Sequence, residues 1–177
     1  SGGRLRIRDT PMCFSIGENV GRYRITEQLG QGGMATVYRA YDANLDRYVA
    51  IKVMHQAFKE DPNFLERFRR EARIVARLRH PHIVTIHEFD EHNTQPYLVM
   101  EFIDGETLKA RLTRSPYALE ETVSLMKAVG EALTYAHDQG VLHRDIKPSN
   151  ILLDRKGVPF LTDFGLARMV QAGESTL

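Results

Sequence analysis

The chain has 177 residues, of which 42% are hydrophobic, 8% aromatic and 27% charged. This composition is typical of a soluble globular protein and excludes a fibrous or largely disordered chain. The formal net charge of +1 disfavours a protein that coats nucleic acid through a general excess of positive charge. The single cysteine, Cys13, excludes an internal disulfide and a cysteine-rich zinc site. It is typical of a reducing compartment, so we expect a cytoplasmic location.

The first half of the chain predicts a small antiparallel sheet with one helix. Residues 1–20 lack sustained periodicity and are predicted to form an arm. Alternating apolar residues between polar turns then predict five strands. The strands are predicted at residues 23–29, 36–41, 48–54, 83–86 and 97–100. A helix is predicted between the third and fourth strands, because Asp61-Pro62 favours a helix start and apolar residues then recur at helical spacing as far as Leu78.

The second half of the chain predicts a mainly helical lobe. A short helix is predicted at 107–112 and a longer one at 119–139, with Gly140 directly after its end. Two short strands are predicted at 151–153 and 159–161. The pair Asp104-Gly105 is the predicted hinge. We therefore divide the chain into an arm (1–20), a first lobe (21–103) and a second lobe (104–177).

A glycine cluster lies between the first two predicted strands, in the run Leu29-Gly-Gln-Gly-Gly-Met-Ala-Thr-Val37. Glycines at Gly30, Gly32 and Gly33 allow backbone N–H groups to approach phosphate oxygens. The motif alone equally fits a flexible hairpin. Ala35 stands where a third glycine of a phosphate-binding pattern would be, and we expect it to stiffen the turn.

Two charged residues lie inside elements that are otherwise apolar or helical. Lys52 interrupts the apolar strand Val49-Ala-Ile-Lys-Val53, and Glu71 lies in the middle of the first helix. Each residue alone is most simply a solvated charge. Together they are able to form a buried ion pair that directs the lysine ammonium at a phosphate.

The densest chemistry lies in the run Val141-Leu-His-Arg-Asp-Ile-Lys-Pro-Ser-Asn-Ile151 and in Asp163, at the end of the last strand. Asn150 and Asp163 supply hard oxygen ligands of the kind that Mg²⁺ prefers. Asp145 is then free to orient a hydroxyl group and accept its proton. A random polar loop would hold one of these groups, but it would rarely hold all of them in this order.

The chain resembles the eukaryotic-like protein kinases, and most closely the bacterial serine/threonine kinases. The matching motifs are Gly30-Gln-Gly-Gly-Met-Ala-Thr-Val37, Val49-Ala-Ile-Lys52, Phe68-Arg-Arg-Glu-Ala72, His80-Pro81, His143-Arg-Asp-Ile-Lys-Pro-Ser-Asn150 and Asp163-Phe-Gly165. The resemblance implies an α+β, two-lobed fold with a five-stranded antiparallel sheet and one helix in the first lobe. It also implies transfer of the γ-phosphoryl group of ATP to serine and threonine hydroxyls of protein substrates.

The same resemblance implies roles for individual residues. Lys52 would contact the α- and β-phosphates and pair with Glu71. Asp145 would be the catalytic base and Lys147 would stabilise the transferring group. Asn150 and Asp163 would hold Mg²⁺, with Mn²⁺ as an alternative ion. The implied adenine site comprises Leu29, Val37, Ala50, Met100, Leu152 and the backbone of Glu101 and Ile103. The implied apolar spine that links the lobes comprises Val75, Ile86, His143 and Phe164.

Two other functions have weaker support. The arginines of the first helix, among them Arg69, Arg73 and Arg77, are compatible with a nucleic-acid surface, but near-neutral net charge disfavours one. His80 and His82 are compatible with a metal site, yet they fall in a connector that the kinase pattern already explains. No apolar run approaches the ~18 residues that a membrane helix needs. We therefore expect no nucleic-acid partner and no membrane contact within this segment.

The chain ends shortly after the Asp163-Phe-Gly165 motif, so the resemblance covers only the first part of the second lobe. Apolar residues such as Leu119, Val123 and Met126 would then lack part of their cover. We expect a homo-oligomer, or an exchange of elements between copies, to cover them. A membrane anchor beyond this segment is compatible with the family. The alternative function is an ATP-binding or interaction module with little transferase activity.

Overall fold

The computed structural model describes residues 14–32, 35–55 and 62–164. Within these ranges, a six-stranded sheet and one helix form a first lobe, and two helices with a three-stranded sheet form a second. The predicted α+β, two-lobed architecture is confirmed. The boundaries at residues 20 and 103 stay predictions.

The first lobe is an antiparallel sheet with the strand order β1-β2-β3-β4-β6-β5. Its strands are β1 (Asn19–Val20), β2 (Tyr23–Gln31), β3 (Ala35–Asp42), β4 (Arg47–Met54), β5 (Ile86–His92) and β6 (Gln95–Glu101). Strands β4 and β6 are neighbouring interior strands that are buried on both faces, so their sequences are nearly continuous in apolar residues.

The sheet has one strand more than predicted, because β1 lies in the expected arm. Phe14 is 5% exposed and its ring packs against Tyr38 and Tyr97. Burial of this ring holds residues 14–20 on the sheet, so the expected arm is wrong there. Residues 1–13 lie outside the described residues.

Within the described residues, this lobe has one helix, α1 (Pro62–Val75), which buries Phe64, Phe68, Ala72 and Val75. The predicted cap, Asp61, lies outside the described residues. The helix ends three residues before the predicted Leu78, because Leu78 donates its N–H to Val75 in a tightened last turn. Tyr135 Oη then accepts the N–H of Arg79 at 2.9 Å and so ties this turn to the second lobe.

The strand predicted at residues 83–86 is wrong. These residues connect the two lobes: Val84 N–H donates to Leu161 O at 2.9 Å, and Leu161 N–H donates to His82 O at 2.8 Å. Strand β5 begins at Ile86 instead and runs to His92, through residues for which no strand was predicted. The turn itself lies at Asn93 and Thr94, which both have positive φ.

The second lobe contains β7 (Gly105–Thr107), α2 (Leu108–Arg114), α3 (Leu119–Asp138), a 3₁₀ turn (Pro148–Asn150), β8 (Ile151–Asp154) and β9 (Pro159–Leu161). Strand β7 replaces part of the predicted hinge and completes a sheet with β8 and β9. Glycine is required at Gly105, since a Cβ there would lie 1.8 Å from Leu153 O. Gly140, with φ of 79°, follows α3 as predicted.

Candidate active site

A buried histidine anchors the loop that precedes β8. His143 is 2% exposed, and its Nδ1 accepts the N–H of Asp145 at 3.1 Å. Its Nε2 lies 2.6 Å from Thr162 O, so the neutral ring with the proton on Nε2 satisfies both contacts. The ring also packs on Phe164, with 4.6 Å between centroids. His143 therefore fixes the loop containing Asp145 to the chain directly before Asp163.

This buried contact carries a pH dependence. Burial is the main cause that lowers the pKa of His143 below 6.5, while the backbone contact with Thr162 raises it. Below about pH 6.5, His143 binds a proton in the unfolded chain but stays neutral in the folded chain. The free energy of unfolding should therefore fall as pH falls and level off below the pKa of His143 in the folded chain.

The test is urea unfolding from about pH 8 to about pH 5, for the wild type and His143→Gln. His80 and His87 also have lowered pKa values because of burial, so both proteins should lose stability. The wild type should show the steeper loss, and equal slopes would contradict this account of His143.

The side chain of Asp145 is held from two sides. Asn150 Nδ2 donates to Asp145 O at 2.9 Å and to Asp145 Oδ2 at 3.3 Å. Lys147 Nζ lies 3.2 Å from the same Oδ2. The three residues predicted as base, cation and amide are thus brought together in one turn. Asp145 remains half-buried, so its carboxylate is accessible to a hydroxyl group.

Lys52 reaches across to the second lobe. It is 8% exposed on β4, and its Nζ forms an ion pair with Asp163. Glu71 lines the same cavity as Lys52 and Asp163, together with Met100 and Phe164. The predicted pairing of Lys52 with Glu71 stays a prediction. No local sequence pattern indicates the contact with Asp163, since 111 positions separate the partners.

Asp163 adopts a backbone conformation that few residues accept. Its φ is 63°, and that of Arg144 is 70°; both lie in the left-handed region, where aspartate and asparagine are tolerated better than most residues. Two such positions beside the Asp145 carboxylate and the Lys52 ammonium are typical of a functional site that the surrounding contacts hold in place.

The predicted adenine-site residues are gathered beside the cavity. Ala50 and Met100 belong to one apolar cluster, and Val37, Ile103 and Leu152 pack against it. Leu29 is 44% exposed at the end of β2. Glu101 already donates its N–H to Thr85 O, so its predicted contact with adenine would use its carbonyl oxygen.

The glycine turn connects β2 to β3. Gly30 and Gly32 are exposed, and Gly32 donates its N–H to Ala35 O at 2.9 Å, while Gly33 lies outside the described residues. Ala35 is the first residue of β3 and is 8% exposed. Its methyl group therefore packs in the core of the lobe. The expectation that Ala35 stiffens the turn stays a prediction.

The chain has room for a side chain at Gly32, which allows binding and stability to be separated. A Cβ there would meet Ala35 O at 3.9 Å, an ordinary contact. Gly32→Ala should therefore leave the free energy of unfolding within about 0.5 kcal/mol. It should weaken ATP binding on the order of tenfold, because the methyl group takes space that a phosphate would use.

Titration calorimetry with Mg-ATP measures this effect. Gly130→Ala is the matched control, since Gly130 lies on α3 with open space around its Cβ position. That change should stabilise the protein by up to about 1 kcal/mol without altering ATP affinity. Unchanged ATP affinity in Gly32→Ala would contradict the placement of phosphate at this turn.

The donor set at Asn150 and Asp163 fits a magnesium ion. Because Asn150 Nδ2 is used as a donor to Asp145, its Oδ1 is left as an acceptor for a cation. Asp163 supplies a carboxylate, which here forms an ion pair with the ammonium of Lys52. One amide oxygen and one carboxylate suit Mg²⁺, which takes its remaining ligands from phosphates and water.

The histidine and arginine clusters take part in structural contacts. His80 Nδ1 accepts the N–H of His82 at 3.0 Å, and His82 Nδ1 lies 2.9 Å from Pro159 O. On α1, Arg69 pairs with Glu91.

None of the helices within the described ranges is both long and apolar enough to cross a membrane.

Comparison with known proteins agrees with this geometry. The family model "Protein kinase domain" matches residues 23–177, and the chain belongs to this family. It is 44% identical over 154 residues to serine/threonine-protein kinase PrkC of Bacillus subtilis, covering 86% of this chain and 24% of that protein. It is 42% identical over 162 residues to serine/threonine-protein kinase PknA of Mycobacterium tuberculosis, covering 88% of this chain and 38% of that protein. The chain thus spans about a quarter to two fifths of these relatives.

Solved structures show the same fold. The chain aligns with the PknI kinase domain of M. tuberculosis with a TM-score of 0.78 at 32% identity, covering 86% of this chain and 62% of that one. It aligns with the apo form of PpkA-294 with a TM-score of 0.82 at 30% identity, covering 93% of this chain and 66% of that one. The kinase-like fold expected from the motifs is confirmed.

Proposed function

We propose that this chain forms the ATP-binding and catalytic part of a protein serine/threonine kinase, which transfers the γ-phosphoryl group of ATP to serine and threonine hydroxyls of protein substrates. The observation that carries the proposal is the position of Asp145. Its carboxylate is held by Asn150 and Lys147, in a loop that His143 fixes beside Asp163. Each predicted chemical group thus has a neighbour that suits its role.

In the proposed reaction the protein mainly positions charges. Asp145 orients the acceptor hydroxyl and accepts its proton while the acceptor oxygen forms a bond to the γ-phosphorus. The bond from this phosphorus to the β–γ bridging oxygen breaks, and ADP leaves. Lys147 lies beside the Asp145 carboxylate and stabilises the transferring group. Lys52 holds the α- and β-phosphates.

The metal requirement follows from the same residues. Asn150 and Asp163 would hold Mg²⁺, or Mn²⁺ in its place, and the bound ion neutralises phosphate charge. Lys52 must then exchange its contact with Asp163 for the phosphates. Both groups would keep a partner of opposite charge, since Lys52 would gain phosphate oxygens and the Asp163 carboxylate would hold the cation.

Phosphoamino-acid analysis tests the proposed substrate class. The chain is incubated with Mg-ATP labelled at the γ position and a basic acceptor protein, and the acceptor is then hydrolysed in acid. We expect phosphoserine and phosphothreonine, since Lys147 is the residue typical of serine/threonine kinases at this place in the loop. Phosphotyrosine as the main product would contradict the substrate class, and unlabelled acceptor would contradict transferase activity.

A reducing, ATP-rich compartment suits this activity. The chain has one cysteine, and the proposed reaction requires ATP in the same compartment as the protein substrates. We therefore place the proposed reaction in the cytoplasm.

A second candidate is an ATP-binding or interaction module, which the outer face of α3 favours. Leu119, Val123 and Met126 are 79%, 60% and 61% exposed, whereas Val129, further along the helix, is 5% exposed. Clustered exposed apolar side chains mark association surfaces. We propose that a second copy of the chain, paired face to face or through exchanged elements, covers these three residues.

Light scattering over a range of protein concentrations tests this association. The wild type should show a mass that rises toward a dimer, and Val123→Glu combined with Met126→Glu should remain a monomer. Both positions are exposed, so the variant should keep its fold, which circular dichroism verifies. A wild-type monomer at all concentrations would contradict the proposal.

A further inference from the structure

An arginine and two aromatic rings lie on the outside of the connector between the lobes. The interlobe connector, residues 102–104, runs from the end of β6 to the start of β7. Arg39 Cζ lies 4.8 Å from the ring centre of Tyr48 and 5.9 Å from that of Phe102. The rings of Tyr48 and Phe102 meet edge to face, with 6.4 Å between centroids. Strands β3 and β4 thus contact the connector through side chains.

Arg39 is itself fixed by residues of β2. Its Nε donates to Thr26 Oγ1 at 3.3 Å, and Thr26 Oγ1 donates to the carbonyl oxygen of Arg39 at 3.0 Å. Its terminal nitrogen lies 3.3 Å from Glu27. The guanidinium therefore reaches Phe102 from a position set by two strands, and its side chain is one third exposed (33%).

The other end of the connector is held by the second lobe. Asp104 accepts from Arg155 Nε at 2.6 Å and from a terminal nitrogen of Arg155 at 3.3 Å. Arg155 lies in the turn between β8 and β9. The connector is thus braced by Arg39 from the first lobe and by Arg155 from the second.

The inner side of the connector carries the proposed adenine contacts. Ile103 packs against the same apolar cluster as Leu152, while Phe102 contacts Arg39 on the outer side. When the side chains of two consecutive residues are held on opposite sides of the chain, the orientation of the peptide group between them is determined. Phe102 stands between Glu101 and Ile103, the residues whose backbones would meet the adenine edge.

We infer that Arg39 and Phe102 are positioning residues for adenine recognition. They fix the backbone of the interlobe connector, and this backbone would bind the adenine edge. The inference rests on the proposed ATP site. Cation–π contacts at partly exposed positions are modest, so the expected loss of ATP affinity on removing Phe102 is on the order of fivefold. A displaced backbone would weaken recognition of the base and leave phosphate binding intact.

Nucleotide selectivity separates this role from a general structural one. The dissociation constants of Mg-ATP and Mg-GTP are measured for the wild type, Phe102→Ala, Phe102→Tyr and Arg39→Gln. Phe102→Ala and Arg39→Gln should weaken ATP binding about fivefold and change GTP binding less than about twofold. Phe102→Tyr should restore the wild-type ratio, because it keeps the ring. Tyr41→Ala is the matched control, since it removes a ring that packs on Tyr48 and leaves Arg39 and Phe102 in place.

The outcomes are distinguishable. Equal weakening of ATP and GTP in the two variants would assign Phe102 and Arg39 to general stability and overturn the inference. Unchanged ATP affinity in both variants would overturn it as well, while leaving the proposed function intact. A wild type that binds neither nucleotide would overturn the proposed function together with this inference.

Discussion

Replacing Asp145 with asparagine should lower the rate of phosphoryl transfer by between about 10² and 10⁴, the contribution typical of a positioned general base. Asparagine keeps the shape of the side chain and an oxygen for the contact with Asn150, but its amide accepts no proton from the acceptor hydroxyl. The rate is measured with saturating Mg-ATP and acceptor protein, so that binding does not limit it.

Two controls restrict the interpretation of that result. The ion pair of Asp145 with Lys147 is about half exposed, so Asp145→Asn should change the free energy of unfolding by no more than about 1 kcal/mol. The dissociation constant of Mg-ATP should stay close to the wild-type value, because Asp145 serves the acceptor. Wild-type turnover in a correctly folded Asp145→Asn variant would contradict the assignment of the base.

Replacing Asp163 with asparagine should remove the magnesium dependence of ATP binding. The carboxylate is the charged protein ligand proposed for the ion, and a bound metal contributes several kcal/mol of charge stabilisation, so turnover should fall by at least about 10². ATP without magnesium should bind as well as before or better, because Lys52 loses its competing ion pair. Calorimetry with and without Mg²⁺ measures both effects.

Asp163→Ala separates the backbone requirement from metal binding. At a φ of 63°, alanine costs about 1–2 kcal/mol more than a residue that tolerates the left-handed region, and asparagine tolerates it well. Both variants should lose the magnesium effect, but the alanine variant should also unfold more easily. An undiminished gain in ATP affinity on adding Mg²⁺ to Asp163→Asn would contradict the proposed metal site.

The fold could be predicted from the sequence where local patterns decide it. The alternation from Tyr23 onward and the apolar run at β4 reflect burial, which is a local property of each strand. Strand β1 could not be predicted, because it is held by the long-range burial of Phe14 against Tyr38 and Tyr97. The strand predicted at residues 83–86 failed for a similar reason, since Val84 bonds to Leu161 in the other lobe.

In the candidate site, too, local contacts could be predicted from the sequence and long-range contacts could not. Asp145, Lys147 and Asn150 lie within six positions of one another, and a single turn brings them together, so their proximity could be predicted. The pairing of Lys52 with Asp163 joins β4 to the chain that follows β9, so only the structure could reveal it. The contacts of Phe102 with Arg39 and of Asp104 with Arg155 had no sequence signal at all. Both contacts depend on how a strand or turn from a separate part of the chain lies against the interlobe connector.

The central claim is that these residues form one working site for phosphoryl transfer. Its most direct test is the intact mass of the chain and of a basic acceptor protein after incubation with Mg-ATP, with Lys52→Met and Asp145→Asn as parallel samples. We expect a phosphate-sized gain of mass with the wild type and none with either variant. A wild type that binds Mg-ATP but adds no phosphate, or an equal gain in all three proteins, would contradict the claim.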